Sequence, residues 1–525
     1  MAKTTHKLRV RRSVLELQRA YEKGDKKPLE NLMRAWKGVK ELPWNHPQSF
    51  FRLGGFHGEP FRGPGSTDSA YWGGYCNHGN VLFPTWHRVY VLKLEEALQS
   101  IPGCEEVMLP YWDETDEYSL QYGIPTVLTD EYFMLDGEQI PNPLRSYTFP
   151  VTITDKVVGD DSLYTKPAGY ETVRYPLSGL VGTEDARKKT DIHNAQYPDP
   201  VKNTQILNDN VLAWLHNETY TGSDGKDTRP ANVNQMYRDC LKAPNYTVFS
   251  NKTSASQWGE DYNTPVTSLE SPHNDIHLAV GGFDVPGQAD FSAISGANGD
   301  MGENDTAGLD PIFYFHHCNV DRVFWLWQKQ NGHTDELDII PFYPGTNSSD
   351  TQGPTPGFPP NTILSPESPL YPFTRKEGGK EVVYTSLDCI NIEKQLGITY
   401  APGSLEEPQP REKALLKGHS KKVVHISGIS RAPINGSFII EVYANIDGKK
   451  VLVGYDSILS RWNVMRCVNC QTHLEVKSSF SLRSFKSADV DNAKMEVRIR
   501  KRTQDGGLLF AEARNAPQEP RIHVR

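Results

Sequence analysis

The stretch "SPHNDIHLAV", Ser271 to Val280, places two imidazoles four residues apart where a polar segment turns apolar. Positions four apart share one face of a helix, so His273 and His277 can grip a single ion. Ser271 and Pro272 read as the cap and first turn of that helix. An isolated His-x-x-x-His pair is ordinarily a surface or core feature, but this one has company. His316 and His317 lie inside "DPIFYFHHCNVDRVFWLWQKQ", an apolar helix for which Asp310 supplies a cap and Pro311 the first position. A charged or unsatisfied imidazole there is costly. Phe313 precedes His317 by four residues and can buttress its ring; Asp321 follows it by four and can orient it. Upstream, "GGFHGEPF", "GGYCNHGN" and "FPTWHRVY" carry His57, His78 and His87, and Phe83 again stands four residues before His87. The repeated Phe-x-x-x-His device predicts two copies of a three-imidazole site. Copper accepts neutral imidazole well. Spacing alone does not choose between His316 and His317.

The rest of the composition narrows the class. The 525 residues are long enough for about two to four domains. A net charge of −9 gives no global pull toward nucleic acid, and the basic N-terminus, with Arg9, Arg11 and Arg12, reads as a solvated helix start. No apolar run of about 18 residues exists, so no membrane span is expected. The N-terminus lacks the apolar core of a signal peptide, which predicts a cytoplasmic protein, and Asn-x-Ser/Thr sites at Asn217 and Asn245 then carry little weight. Seven cysteines, odd and sparse, argue against a disulfide scaffold.

Helices are predicted over residues 13 to 40, over 83 to 100 with Pro84 in the first turn, and from Asp310 onward. Residues 114 to 260 are mixed and rich in Pro, Asp and Tyr, without an assignable pattern. After about residue 401 the texture changes: "KKVVHISGI", "GSFIIEVYANI", "KKVLVGYDSI", "HLEVKSS" and "AKMEVRIRKR" alternate apolar and polar residues, with turn signals at Asp447-Gly448 and Asp505-Gly506. That alternation predicts an all-β sandwich following a helical region.

"CNHGNVLFPTWHRVYVLKLE", "SPHNDIH" and "LDPIFYFHHCNVDRVFWLW" resemble the paired copper signatures of tyrosinases, catechol oxidases and molluscan hemocyanins. The resemblance covers roughly residues 10 to 400 and implies a mainly α catalytic domain, 1–400, built around a four-helix bundle holding a dicopper centre. A C-terminal β-sandwich, 401–525, would act as its cap. By the same resemblance His57, His78 and His87 hold one copper; His273, His277 and His317 hold the other. Cys76 would be joined to the His78 ring by a thioether, as in fungal and molluscan relatives. "QLGITY", ending at Tyr400, looks like the tyrosine motif that closes the family's catalytic core.

The resemblance implies a tyrosinase that uses O₂ to hydroxylate monophenols ortho to their oxygen and to oxidise o-diphenols to o-quinones, the chemistry of melanin-type pigments. Tyrosine, tyramine and catechols are the substrates expected, and neither nucleic acid nor membrane is a partner; a homo-oligomer is compatible with this reading. Phenols lose their proton near pH 10, so a positioned base helps. In the family a glutamate and an asparagine placed like Glu270 and Asn274 hold a water suited to that role. Leu278 would line the pocket. Cys467 and Cys470 form the CxxC that fungal pro-tyrosinases use in copper loading, and Tyr455 and Trp462 are candidates for an aromatic plug. A catechol oxidase without monophenol activity and an oxygen carrier are the alternatives.

Overall fold

The computed structural model describes residues 8–58, 74–153, 165–216, 220–221, 227–228, 232–283, 299–350, 357–359, 361–406, 418–431, 434, 436–460, 475–502, 508–512 and 520–525. Strand β1 (Arg9–Arg11) precedes helices α1 (Val14–Glu22), α2 (Lys27–Glu41), α3 (Phe50–Gly55) and α4 (Phe83–Gln99). The stretch without a sequence pattern holds α5 (Glu117–Tyr122), the β2–β3 hairpin (Tyr132–Leu135, Glu138–Pro141), α6 (Glu184–Asn194), α7 (Pro200–Leu215), the short pair β4–β5 (Tyr220–Thr221, Asp227–Thr228), α8 (Val233–Cys240), α9 (Tyr246–Ser250) and α10 (Lys252–Tyr262). Then come α11 (Glu270–Gly281), α12 (Ile312–Asn331), the β6–β7 hairpin (Pro369–Glu377, Lys380–Thr385) and β8 (Ile398–Tyr400).

Helices α4 and α12 carry almost unbroken buried faces because they lie in the middle of the helical layer. α4 packs between α2 and α12, and α12 packs on α11. Trp36 of α2 stacks on Phe315 of α12 with ring centroids 5.7 Å apart. The apolar core of this layer draws on residues from Val14 to Leu405 and takes in Ile439 from the strand-rich part of the chain. Burying apolar surface is its main source of stability, at about 25 cal/mol per Å².

α11 begins at Glu270, one residue before the expected cap, so Ser271 lies inside the first turn. The physical reason is the Glu270 carboxylate. It is buried and accepts the backbone N–H groups of Gly79 and Lys252, which fixes it as part of the helix. Pro272 is tolerated because first-turn N–H groups have no intrahelical partner. At α12 the carboxylate of Asp310 accepts from Ile312 N at 3.1 Å and also pairs with Arg174.

A buried charge cluster ties the chain's beginning to its middle. β1 pairs in parallel with β8, which sets Arg11 beside Tyr400. Arg11 donates to Glu95 of α4 at 2.9 Å, to Tyr400 Oη at 2.7 Å and to Asp321 of α12 at 3.3 Å. Arg88 of α4 donates to the other oxygen of Asp321 at 2.5 Å. Asp321 therefore does not orient His317, as its four-residue offset suggests; two guanidinium groups and a phenol hydroxyl occupy it.

From residue 418 the chain is strand-rich. β9 (Val423–Ser430), β10 (Phe438–Ile446), β11 (Lys449–Ile458), β12 (Glu475–Ser481), β13 (Met495–Arg502), β14 (Leu508–Glu512) and β15 (Arg521–Val524) form two antiparallel sheets, ordered β11-β10-β13-β14 and β12-β9-β15. Asp447 and Gly448 both have positive φ, 50° and 74°, as a two-residue hairpin turn between β10 and β11 requires. The sheets enclose a separate apolar core that includes Ile426, Ile440 and Val497. Cys467, Cys470 and Trp462 lie outside the described residues. Among the described residues no helix is long and apolar enough to cross a membrane.

Replacing Asp321 with Ala leaves Arg11 and Arg88 buried without that carboxylate. Urea unfolding of the copper-free protein is expected to show a loss of about 3–5 kcal/mol. Glu96→Ala, which breaks the exposed Lys93–Glu96 pair, is expected to cost less than about 1 kcal/mol in the same assay.

Candidate metal centre

His273 and His277 stand on successive turns of α11, and His317 faces them from α12; all three are fully buried. The Nε2 atom of His317 lies 3.2 Å from Nε2 of His273 and 3.2 Å from Nε2 of His277. A tetrahedral ion with metal–nitrogen bonds of about 2.0–2.1 Å spaces its ligands about 3.3 Å apart. The outer nitrogens are already committed. Nδ1–H of His277 donates to the Met301 carbonyl at 2.8 Å, and Nδ1–H of His273 donates to Oδ1 of Asn274 at 2.9 Å. That fixes the tautomer and turns the Nε2 lone pairs inward. With no partner on its own Nδ1 among the described residues, His317 can either donate from Nε2 to one of these lone pairs or join them on a cation.

His57, at the end of α3, His78, in the loop before α4, and His87, on α4, form a second group. Their ring centroids are 5.1 to 5.6 Å apart. Nδ1 of His57 donates to the Asn304 carbonyl at 3.1 Å, and Nδ1 of His87 donates to the Phe83 carbonyl at 2.8 Å, one turn back. Gly58 permits the first contact: a Cβ there would lie 1.6 Å from the Asn304 oxygen. Nε2 of His87 and Nδ1 of His317 are buried with no hydrogen-bond partner among the described residues. The two groups adjoin, with the His87 and His317 rings stacked at 4.6 Å.

Burial pushes the pKa of His87 down to about 3, and burial together with the mutual fields of the rings holds His273, His277 and His317 well below 6.5. The imidazoles are neutral at physiological pH, which is their ligating form. Outer nitrogens locked on His57, His87, His273 and His277, with six buried rings in two adjoining groups, fit two copper ions. Phe313 lies flat on His317 at 3.9 Å, and Phe83 tilts against both His87 and His273 at 4.8 Å.

His316 is held differently. Its Nδ1 lies 2.6 Å from Oε1 of Glu114, a fully buried carboxyl that also accepts from Tyr237 Oη and from Asn319. Burial raises Glu114 well above the usual carboxylate range and lowers His316 to about 3. The Nδ1 of His316 is thus engaged by a carboxyl from outside the histidine group, whereas Nδ1 of His317 has no such partner among the described residues; ligand atoms of both rings lie within 4.8 Å of those of His273 and His277.

Glu114, Asn304 and Met301 escaped the sequence reading. Two of them act through backbone carbonyls, which leave no residue-type signal. Glu114 sits in "YWDETDEY", where only its proximity to Trp112 marks it as buried.

Cys76 Sγ lies with the His57 and His78 ring nitrogens in one buried cluster, all within 4.8 Å. Glu270 accepts from Gly79 N at 2.9 and 3.0 Å and from Lys252 N at 2.9 Å, joining the His78 loop to α11. Burial raises its pKa, and nearby Lys252 and Arg431 offset part of that shift. Asn274 Nδ2 donates to the carbonyl of Ser457, at the end of β11, at 3.1 Å. Tyr455 does not point at the histidines: its hydroxyl donates to Asp275 at 2.7 Å and its ring meets Trp214 edge-on.

Because Glu114 is held protonated, Gln is a fair replacement: it can donate to His316 and still accept from Tyr237 and Asn319. Glu114→Gln is expected to lie within about 1 kcal/mol of the parent in urea unfolding of the copper-free protein. Glu114→Ala strands several buried polar groups and is expected to cost about 2–4 kcal/mol.

Comparison with known proteins agrees with this geometry. The family profile for the common central domain of tyrosinase matches residues 47–330. The chain is 56% identical over 514 residues to tyrosinase HcTyr2 of Hahella sp., covering 94% of this chain and 92% of that one. It is 42% identical over 510 residues to a tyrosinase of Aspergillus oryzae, covering 91% and 92%. A solved tyrosinase from Burkholderia thailandensis superposes with a TM-score of 0.86 at 55% identity, covering 98% of this chain and all of that one. A profile match across the histidine-bearing helices, relatives alike over nearly their whole length, and buried imidazoles poised for metal place this chain in the tyrosinase family.

Proposed function

We propose that the two histidine groups hold a pair of copper ions and that the protein is a tyrosinase. His57, His78 and His87 would take one ion, and His273, His277 and His317 the other. The observation that carries this reading is the 3.2 Å approach of His317 Nε2 to the Nε2 atoms of His273 and His277, both of whose outer nitrogens are already bound. When bound, the copper pair supplies dioxygen binding and two-electron redox chemistry, which the chain's own side chains lack. With it the protein hydroxylates monophenols at the ortho position and oxidises o-diphenols to o-quinones.

The chain's part is binding, proton handling and exclusion of water. A phenol loses its proton near pH 10, far from the usual carboxylate range. Burial moves Glu270 toward the phenol's pKa, which makes proton transfer less uphill. Glu270 and Asn274 would hold the water that carries this proton, with the Asn274 amide as its donor. Phe83, Phe313 and Leu278 form dry walls around the rings, and all three are fully buried. A thioether between Cys76 Sγ and the His78 ring would fix that ligand's orientation; its mark is the loss of two hydrogen atoms from the peptide mass.

Residues 1–400 would be the catalytic domain and 401–525 a lid. The Ser457 carbonyl already occupies the Asn274 amide, so the lid competes for the group that would hold the water. A CxxC at Cys467 and Cys470 would serve copper loading, and phenols such as tyrosine, tyramine and catechols would be the substrates.

Reconstitution with copper, followed by O₂ uptake on tyramine and on a catechol, tests the assignment. Uptake on both is expected. Uptake on catechol alone would mean a catechol oxidase, and a reversible near-ultraviolet band without turnover would mean an oxygen carrier. Glu270→Gln is expected to lower monophenol turnover by about 100-fold or more while diphenol turnover changes less than tenfold. His317→Ala is expected to halve bound copper in metal analysis, whereas His316→Ala retains both ions.

A further inference from the structure

A cavity of about 490 Å³ opens at the seam between the helical layer and the β-layer. That volume falls within the range of about 300–1,000 Å³ common for small-molecule sites. None of the histidines lines it, and Lys252, which does, gives its backbone N–H to Glu270. Its walls come from both layers, with Lys252, Phe342, Tyr343 and Ile363 on one side and Arg431 and Ile458 on the other.

Most of the charges around the cavity are spoken for. Lys252 pairs with Asp456, Lys477 with Glu260, and Glu475 with Arg521. The Asp350 carboxylate accepts the backbone N–H groups of Gly345 and Asn347. Arg431 differs. Among the described residues this half-buried guanidinium forms no hydrogen bond and no ion pair, and Glu270 is the acid whose field it feels. A guanidinium presents a rigid fork of donors that matches a carboxylate.

The rim has a second unusual feature. Phe342 is 79% exposed and sits at φ 60°, a left-handed backbone conformation that a bulky residue seldom adopts. Ile363 beside it is 41% exposed. Strained backbone presenting an exposed aromatic ring at a cavity mouth marks a ligand contact more readily than a packing need, since the ring packs against little.

We propose that this seam cavity binds a small aromatic carboxylate, its anion on Arg431 and its ring held among Phe342, Ile363 and Ile458. Because both layers build the site, the ligand binds only while they are packed together. By mass action it stabilises the closed arrangement.

The test uses the full copper-free chain and isothermal titration with benzoate, benzyl alcohol and acetate. Benzoate is expected to bind at one per chain, with benzyl alcohol and acetate each at least tenfold weaker. Arg431→Gln is expected to weaken benzoate by about tenfold or more and leave benzyl alcohol unchanged. Phe342→Ala, a rim variant that buries nothing, is expected to weaken benzoate severalfold. Benzoate is also expected to raise the unfolding temperature of the parent and not that of Arg431→Gln. Equal affinity for benzoate and benzyl alcohol, acetate as tight as benzoate, or unchanged benzoate binding in both variants would each overturn the proposal. None of these readouts depends on copper, so failure here is distinct from failure of the tyrosinase assay.

Discussion

Keeping imidazoles neutral, buried and turned inward is the constraint to which the rest of this structure answers. A neutral ring in an apolar interior still has a donor and an acceptor to satisfy, and leaving either unmet costs about 1–3 kcal/mol. The fold meets the donor half from within. Carbonyls of Phe83, Asn304 and Met301 and the side chain of Asn274 take the Nδ1 protons. The acceptor half is left facing a common centre, where only a cation can meet several lone pairs together.

Such a centre needs helices that do not shift against each other. The Arg11–Glu95–Asp321–Arg88 cluster serves that end. Arg88 follows His87 in α4, and Asp321 lies one turn beyond His317 in α12. Their ion pair therefore couples the two histidine groups through rigid helices rather than loops. Arg11 closes the same cluster from β1, and β1 is held by β8, so both ends of the helical layer bear on one buried carboxylate. Buried pairs of this kind add little net stability compared with an apolar core, but losing one partner is severe. Their contribution here is register.

The legible part of this design is what local periodicity encodes. The four-residue steps from Phe83 to His87, from His273 to His277 and from Phe313 to His317 are helical statements, and each pair meets as that spacing requires. The alternation in β9 to β13 is likewise local. Local offset misleads where distant residues outcompete near ones. Asp321 is offset correctly to reach His317, yet Arg11 and Arg88, 310 and 233 residues away, claim it. Ser271 has the chemistry of a cap, but Glu270 is drawn into the helix by backbone groups of Gly79 and Lys252. Residues 114 to 260 lacked a pattern because their buried polar members answer to distant residues: Tyr237 donates to Glu114, which in turn meets His316 and Asn319 of α12. Spacing does not distinguish His316 from His317; what differs between them is Glu114, a distant carboxyl that engages Nδ1 of His316 alone.

The β-layer touches this machinery at a narrow place. Ser457, the penultimate residue of β11, has its carbonyl shared between the Asn274 amide and the Lys252 ammonium, while Tyr455, two residues earlier, reaches Asp275. Asn274 and Asp275 are consecutive on α11, directly after His273, and Lys252 also gives its backbone N–H to Glu270. One strand end therefore reads the residues that set the orientation of His273 and the environment of Glu270. Lifting the strand would free the Asn274 amide, remove a partner from Lys252 and admit water to Glu270 together. Those changes are coupled by geometry, since all three contacts lie within four residues of one strand. The β-layer does not need to reach the histidines to bear on them: the Asn274 side chain that donates to the Ser457 carbonyl is the one whose Oδ1 holds the His273 ring.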